Sequence, residues 1–337
     1  MAAMAVAALL LAARPQALQT PARGRGQPPA TTGQQPQGRG PQGRGAAAPN
    51  VDNVDVHSWR VQGNIWMLVG AGGNVTVQVG DEGVLLVDSS FAQMSDKLLA
   101  EIKKISPRPV YYIINTHAHL DHVGGNENLA KPSPDFLAPP QVQIVAHENV
   151  LKRMSAPTGQ QAAFPVAAWP TDTYFTERKE IFFNNEPVIL LHQPAAHTDG
   201  DSIVFFRRSD VVSTGDIFQT ATFPFIDTER GGTINGIIAA ANNILDITIP
   251  RDKQEGGTYV IPGHGRVCDE HDVLEYRDML TIIRDRAQDA VKKGMTLEQF
   301  KATKPTLDYD ARWGSSGGLQ TTDQFIAKIY AEMRTVR

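Results

Sequence analysis

One cysteine, Cys268, stands in a chain of 337 residues, so neither an intrachain disulfide nor a cysteine-based zinc ribbon is possible. Apolar runs long enough to cross a membrane are missing too. The stretch MAAMAVAALLLAA at 1–13 falls short of the roughly 20 residues that a spanning helix needs. It reads instead as the apolar region of a secretory signal peptide within residues 1–20, which predicts export to the periplasm or the medium. Acidic residues are absent from positions 1–49, which hold five arginines. The remainder therefore carries 27 basic against 36 acidic side chains, a formal charge of −9. Such a body lacks the basic face that nucleic-acid binding needs. Residues 21–50, PARGRGQPPATTGQQPQGRGPQGRGAAAPN, lack apolar bulk and predict a disordered linker. The repeated GRG within it is read as solvated spacer rather than RNA contact.

What the rest contains is a core. From about residue 56, short β-rich runs alternate with Gly and Asp turns: WRVQGNIWMLVG, GNVTVQVGD and GVLLVDSS. An amphipathic helix is predicted over 96–105, ended by Pro107. Further strands are predicted at 110–115, 141–147, 187–194, 202–208, 211–216 and 258–265, with a helix at 232–247 before the last of them. A long amphipathic helix over 271–294, with Gly294 at its end, is followed by capping-box patterns at Thr296/Gln299 and Thr321/Gln324. β-rich segments followed by mixed β and α, twice over, imply an α/β fold of two packed sheets with helices outside. The predicted organisation is a catalytic domain over 51–270 and C-terminal helices over 271–337 packed on it.

Nine histidines are present, and three fall in THAHLDH: His117, His119 and His122, with Asp121 between them. This run follows directly on the strand VYYIIN. Residues two apart on an extended segment point the same way, so His117 and His119 can share one ion. Asp121 and His122 lie where the chain turns and can serve a second. With no thiolate offered, zinc takes imidazole and carboxylate. His197, Asp216 and His264 each sit at the C-terminal end of a predicted strand, where ligands from different strands converge. The set divides into His117, His119 and His197 for one ion, Asp121, His122 and His264 for the other, with Asp216 bridging. Seven protein ligands leave room for a shared water, an open and therefore catalytic arrangement. Metal binding lowers the pKa of the bound water to roughly 7, which makes a nucleophile available at neutral pH. His57, His147, His192 and His271 are assigned no metal, and Cys268 is read as a small buried residue.

This pattern resembles the metallo-β-lactamase superfamily. THAHLDH is similar to its HxHxDH motif, AAHTDGD carries the next histidine at His197, STGDIF the bridging Asp216 and PGHG the last histidine, His264. The resemblance covers roughly 57–270 and implies a four-layer αβ/βα sandwich, here with a helical C-terminal extension. It implies two Zn²⁺ ions, in a site that also accepts iron or manganese, and hydrolysis of a carbonyl in a β-lactam-like amide, lactone or ester. A glyoxalase II-like thioesterase is the alternative, and a non-catalytic zinc-binding protein the remaining one. Asp121 is expected to orient the nucleophile besides ligating. Substrate contacts are expected from Gly72, Gly73 and Asn74, in a hairpin that can overhang the site, and from Phe223 and Phe225, whose rival reading is core packing. The chain departs from the best-known β-lactamases in having Asp216 where they have Cys and Gln219 where they have a carboxylate-holding Lys. Phe218-Gln219-Thr220-Ala221 replaces the GCGR-type run of glyoxalase II. The expected partner is a small molecule, with no nucleic acid and no membrane span, and the oligomeric state is not legible.

Overall fold

The computed structural model describes residues 50–131, 141–158 and 161–335. The expected signal peptide, and the expected linker up to residue 49, lie outside the described residues. Strands β1 (His57–Gln62), β2 (Ile65–Val69), β3 (Val75–Val79) and β4 (Val84–Val87) form an antiparallel meander. WRVQGNIWMLVG forms a hairpin that turns at Gly63, whose φ is +55°. Helix α1 (Ser95–Ile105) crosses to β5 (Val110–Ile114), parallel to β4. The short helices α2 (Leu120–Val123) and α3 (Asn126–Leu129) follow, then β6 (Gln143–His147) and α4 (Glu148–Ser155). A small hairpin, β7 (Pro157–Thr158) and β8 (Gln161–Ala162), precedes β9 (Asp172–Tyr174), which completes the first sheet in the order β1-β2-β3-β4-β5-β6-β9.

The second sheet runs β10 (Arg178–Phe183), β11 (Glu186–Gln193), β12 (Asp201–Phe206), β13 (Val211–Ser213), β14 (Tyr259–Ile261) and β15 (Cys268–Asp269) in spatial order. Helix α5 (Ile234–Ile247) is the crossover between the parallel pair β13 and β14. Helices α6 (Glu270–Lys292), α7 (Leu297–Ala302), α8 (Asp310–Trp313) and α9 (Thr322–Thr335) end the chain. Asp269 and Asp272 form a reciprocal capping box that starts α6.

The layering follows from side-chain alternation. In β4, Leu85 and Val87 face the second sheet and pack with Phe183, Leu190 and Phe206, whereas Val84 and Leu86 face Leu98 and Ile102 of α1. A strand buried on both faces reads as a continuous apolar run, as VLLV does. The outer face of the second sheet meets α5, α6 and α9, where Ile237, Tyr276, Ile283, Phe325 and Ile329 share one core. The result is a four-layer α/β/β/α sandwich. No break in packing marks residue 270: α6 and α9 supply this outer layer together with α5. Strand β10 escaped the sequence reading because RKEIFF opens with three charged residues, leaving Ile181 and Phe183 as its only buried pair.

Candidate metal centre

β5 delivers the chain to one edge of the sandwich, and residues 116–122 turn there. His117, His122 and His197 are fully buried, while Asp121 and His264 remain about a quarter exposed. Ligand-capable atoms of His117, His119, His197 and Asp216 all lie within 4.8 Å of one another, as do those of Asp121, His122 and His264. These are called the first and second sets below. Asp216 reaches toward the second set as well: its Oδ1 is 3.1 Å from His122 Nε2 and 3.4 Å from His264 Nε2. Strand ends at β5, β13 and β14 and the loop between β11 and β12 therefore converge as the motif spacing predicts.

The hydrogen bonds fix which ring nitrogens face inward. His197 Nδ1–H donates to the Phe225 carbonyl at 2.6 Å, leaving Nε2 with a lone pair. His119 Nε2–H donates to Asp227 Oδ2 at 2.7 Å, turning Nδ1 toward His197. These two nitrogens face each other at 2.9 Å. Burial pushes His197 down to about 4, helped by His119, so at neutral pH it is uncharged and keeps only the proton on Nδ1. At that spacing the two nitrogens share one proton, a place that a metal ion can take instead. His117 Nδ1–H points to Thr116 Oγ1 at 3.0 Å, and its buried Nε2 has no hydrogen-bond partner. Asp216 Oδ1, also buried, lacks a partner of acceptable geometry. Orphaned buried donors and acceptors are rare in folded proteins, and three imidazole lone pairs beside a carboxylate are a metal's ligands. The residues fit a divalent ion, held by His117 Nε2, His119 Nδ1, His197 Nε2 and Asp216.

In the second set, His122 Nδ1–H donates to Asp88 Oδ2 at 2.7 Å, turning Nε2 toward Asp121, Asp216 and His264. Burial opposes the charged form of His264, yet Asp216 and Asp121 together raise it to about 10. His122 is likewise raised, against burial, by Asp216, Asp88 and Asp121. The carboxylates respond in kind, and Asp121 and Asp216 are held below the usual range by these histidines despite burial. The field of this set favours a cation, and a divalent ion would displace protons from both imidazoles.

Sequence reasoning missed the groups that aim the ligands. Asp88 accepts from Thr116 N (2.8 Å), Thr116 Oγ1 (2.7 Å) and His122 Nδ1, and so orients His122 directly and His117 through Thr116. It sits at φ +65°, a left-handed conformation that Asp tolerates better than most residues. Asp227 also accepts from Arg230 Nη1 at 2.6 Å. The acidic residues of AHTDGD brace the loop: Asp201 accepts from Thr198 N at 2.6 Å, and Asp199 pairs with Arg153.

Among the expected substrate contacts, the structure divides the set. Gly73 lies flat on the His122 ring, where a Cβ would overlap the imidazole, and its N–H donates to Asp121 O at 3.0 Å. Gly72 is similarly enclosed by Ser90, Phe91 and the Asp121 carbonyl. Asn74 is buried, and its side-chain amide donates to the carbonyls of Pro262 and Gly265, tying this turn to the His264 loop. These three brace the segments that bear Asp121, His122 and His264. Phe223 is also corrected: it is buried and stacks on Phe325 with ring centroids 4.7 Å apart, in the core. Phe225 does line the site, with its ring 5.9 Å from His119 and 6.0 Å from His197. Gln219 is buried and donates to the Phe223 carbonyl. His147 and His192 stay outside both sets and stack on each other at 3.5 Å.

The family model of the metallo-β-lactamase superfamily matches residues 68–279. A linear primary-alkylsulfatase of Pseudomonas sp. is 24% identical over 260 residues, covering 65% of this chain and 47% of that protein. Type 2 metallo-β-lactamase of Bacillus cereus is 24% identical over 202 residues, covering 59% of this chain and 69% of that one. Among solved structures, the inverting sec-alkylsulfatase Pisa1 from Pseudomonas sp. superposes with a TM-score of 0.59 at 16% identity, over 82% of this chain and 50% of that chain. The metallo-β-lactamase from Pontibacter korlensis gives 0.52 at 15%, over 67% of this chain and 99% of that chain. The chain thus spans about half the length of the alkylsulfatases it matches. Given this match and the sandwich architecture, the chain belongs to the metallo-β-lactamase superfamily.

Proposed function

We propose that this chain is a dinuclear zinc hydrolase acting on a carbonyl in a small amide, lactone or ester. The observation that supports it most is the convergence of five imidazoles on Asp216 and Asp121, in two adjoining sets, with His117 Nε2 buried and without a hydrogen-bond partner. Two bound ions supply a water-derived nucleophile at neutral pH and polarise the bond attacked. The chain's own residues do the rest. Asp216 lies between the sets, and Asp121, partly exposed and 3.3 Å from His264, is placed to orient the attacking water and hold its proton. Phe225 gives the first set an apolar wall.

A second reading, hydrolysis of a sulfate ester, is favoured by one observation: the alkylsulfatase similarities extend over more of this chain than the β-lactamase ones. Gln219 supports neither a β-lactam carboxylate anchor nor a glutathione site, since its amide is turned inward to Phe223. The test is turnover by the zinc-loaded protein of a chromogenic cephalosporin, a nitrophenyl ester, a glutathione thioester and an alkyl sulfate, with and without chelator. Chelator-sensitive cleavage of the cephalosporin or the ester is the expected result. Turnover of the sulfate alone would replace the carbonyl reading with the second, and turnover of the thioester alone would replace it with a glyoxalase II-like one. No turnover with two ions bound would leave a zinc-binding protein.

The two phenylalanines should part company in the same assay. Phe225→Ala is expected to raise KM by about tenfold, the equivalent of ~1.4 kcal/mol of apolar contact, with zinc content intact because the backbone carbonyl orients His197. Phe223→Ala removes a core ring and is expected to cost about 3–5 kcal/mol in denaturant unfolding.

A further inference from the structure

Three consecutive residues connect the first set to the end of the chain. The Phe225 carbonyl accepts from His197 Nδ1 at 2.6 Å, and the Asp227 carboxylate accepts from His119 Nε2 at 2.7 Å. Between them, the Ile226 carbonyl accepts from Lys328 Nζ, also at 2.6 Å. The same ammonium lies 4.3 Å above the centre of the Phe225 ring. Lys328 belongs to α9, which lies beyond the matched residues 68–279. Its neighbours on this C-terminal segment hold the preceding residues: Gln320 Nε2 donates to the Pro224 carbonyl at 2.7 Å, and the Trp313 carbonyl accepts from Phe223 N at 2.9 Å. At the far end of the loop, Glu332 accepts from Ile234 N at 2.8 Å, at the start of α5.

We infer that Lys328 is a positioning residue for the first metal set, acting through Phe225, Ile226 and Asp227 on His197 and His119. The physical reason is geometric. Residues 223–227 are irregular backbone without a strand partner, and the C-terminal segment holds Phe223 N and the carbonyls of Pro224 and Ile226. His197 takes its orientation and tautomer from the Phe225 carbonyl and His119 from the Asp227 side chain, so both depend on how this stretch is held. A ligand whose partner wanders loses affinity, typically 10- to 100-fold when the partner itself is removed. Lys328 acts one bond further out, through two ties to the same short stretch. The inference rests on the proposed metal-ligand reading of His119 and His197.

The test is stepwise cobalt(II) titration of the full chain against a competing chelator, followed by the visible spectrum. The first-set step is identified as the one that His197→Ala abolishes. Lys328→Met keeps the length and apolar character of the stem but removes the ammonium. It is expected to weaken the first-set step by about tenfold, near the lower end of the cited range, and to alter its cobalt spectrum. The other step should stay within twofold. Lys328→Arg should restore most of the loss, and Gln320→Ala, which frees only Pro224, should weaken the same step by less. Asp323→Asn, on the exposed side of α9 where it pairs with Lys301, should change neither step. Melting of the metal-free variants reports any loss of fold separately. Unchanged first-set affinity and spectrum in Lys328→Met, with wild type binding two ions, would overturn the inference alone. A wild type that binds no cobalt would overturn the ligand reading beneath it.

Discussion

Asp88→Asn is expected to leave the fold intact and to weaken binding of the second ion by about 10- to 100-fold. Asp88 is an acceptor on both oxygens: Oδ1 takes the Thr116 N–H, and Oδ2 takes the Thr116 hydroxyl and His122 Nδ1–H. An amide cannot reproduce this. In one orientation its NH₂ confronts the His122 Nδ1–H, which drives the imidazole toward the other tautomer and puts a proton on the nitrogen aimed at Asp121 and Asp216. In the other orientation the NH₂ confronts the Thr116 N–H. Asn tolerates the positive φ of this position, so the backbone needs no rearrangement. Asp88→Ala is a different experiment: it strands buried donors and is expected to cost about 3–5 kcal/mol of stability. Metal titration and urea unfolding of both variants separate the electrostatic effect from the structural one.

Asp121→Ala is expected to lower kcat by about 10²- to 10⁴-fold, the range for a positioned proton-transfer group, while also weakening the second set. Its carboxylate is 3.3 Å from His264 Nε2 and 3.8 Å from His122 Nε2, and it is about one-fifth exposed, so substrate and solvent can both reach it. Asp121→Glu retains the charge and moves it by one methylene. If the carboxylate serves only as a ligand, Asp121→Glu with both ions bound should run at wild-type kcat. If it also orients the nucleophile, kcat stays depressed at full occupancy. Steady-state kinetics at saturating zinc distinguish the two.

The ligands were legible because their signal is local. Two histidines spaced by one residue after a buried strand share a face whatever the tertiary details, and His197, Asp216 and His264 each follow a recognisable apolar run. The sandwich was legible for the same reason, since α1 declares its buried face by helical periodicity and β4 its burial on both faces by an unbroken apolar run. The groups that aim the ligands left no such mark. Asp88 in VDSS reads as a turn residue, and its partner His122 is 34 positions away. Asp227 meets His119 across 108 positions, and Lys328 meets Ile226 across 102. Phe223 and Phe225 differ in fate because the irregular backbone between Asp216 and α5 sends one ring to Phe325 and the other to His119, a choice no periodicity encodes. The smallness of Gly73 serves the close approach of backbone to the His122 ring, a contact across 49 positions that the sequence does not mark.

Two adjoining cation sites are the claim on which the rest depends. The most direct measurement is the metal content of the full chain after loading with zinc and desalting, by mass spectrometry of the elements, on wild type and Asp88→Asn side by side. Two zinc ions per wild-type chain and one per Asp88→Asn chain are predicted. A wild type that retains one ion or none, or an Asp88→Asn chain that retains two, would contradict the account.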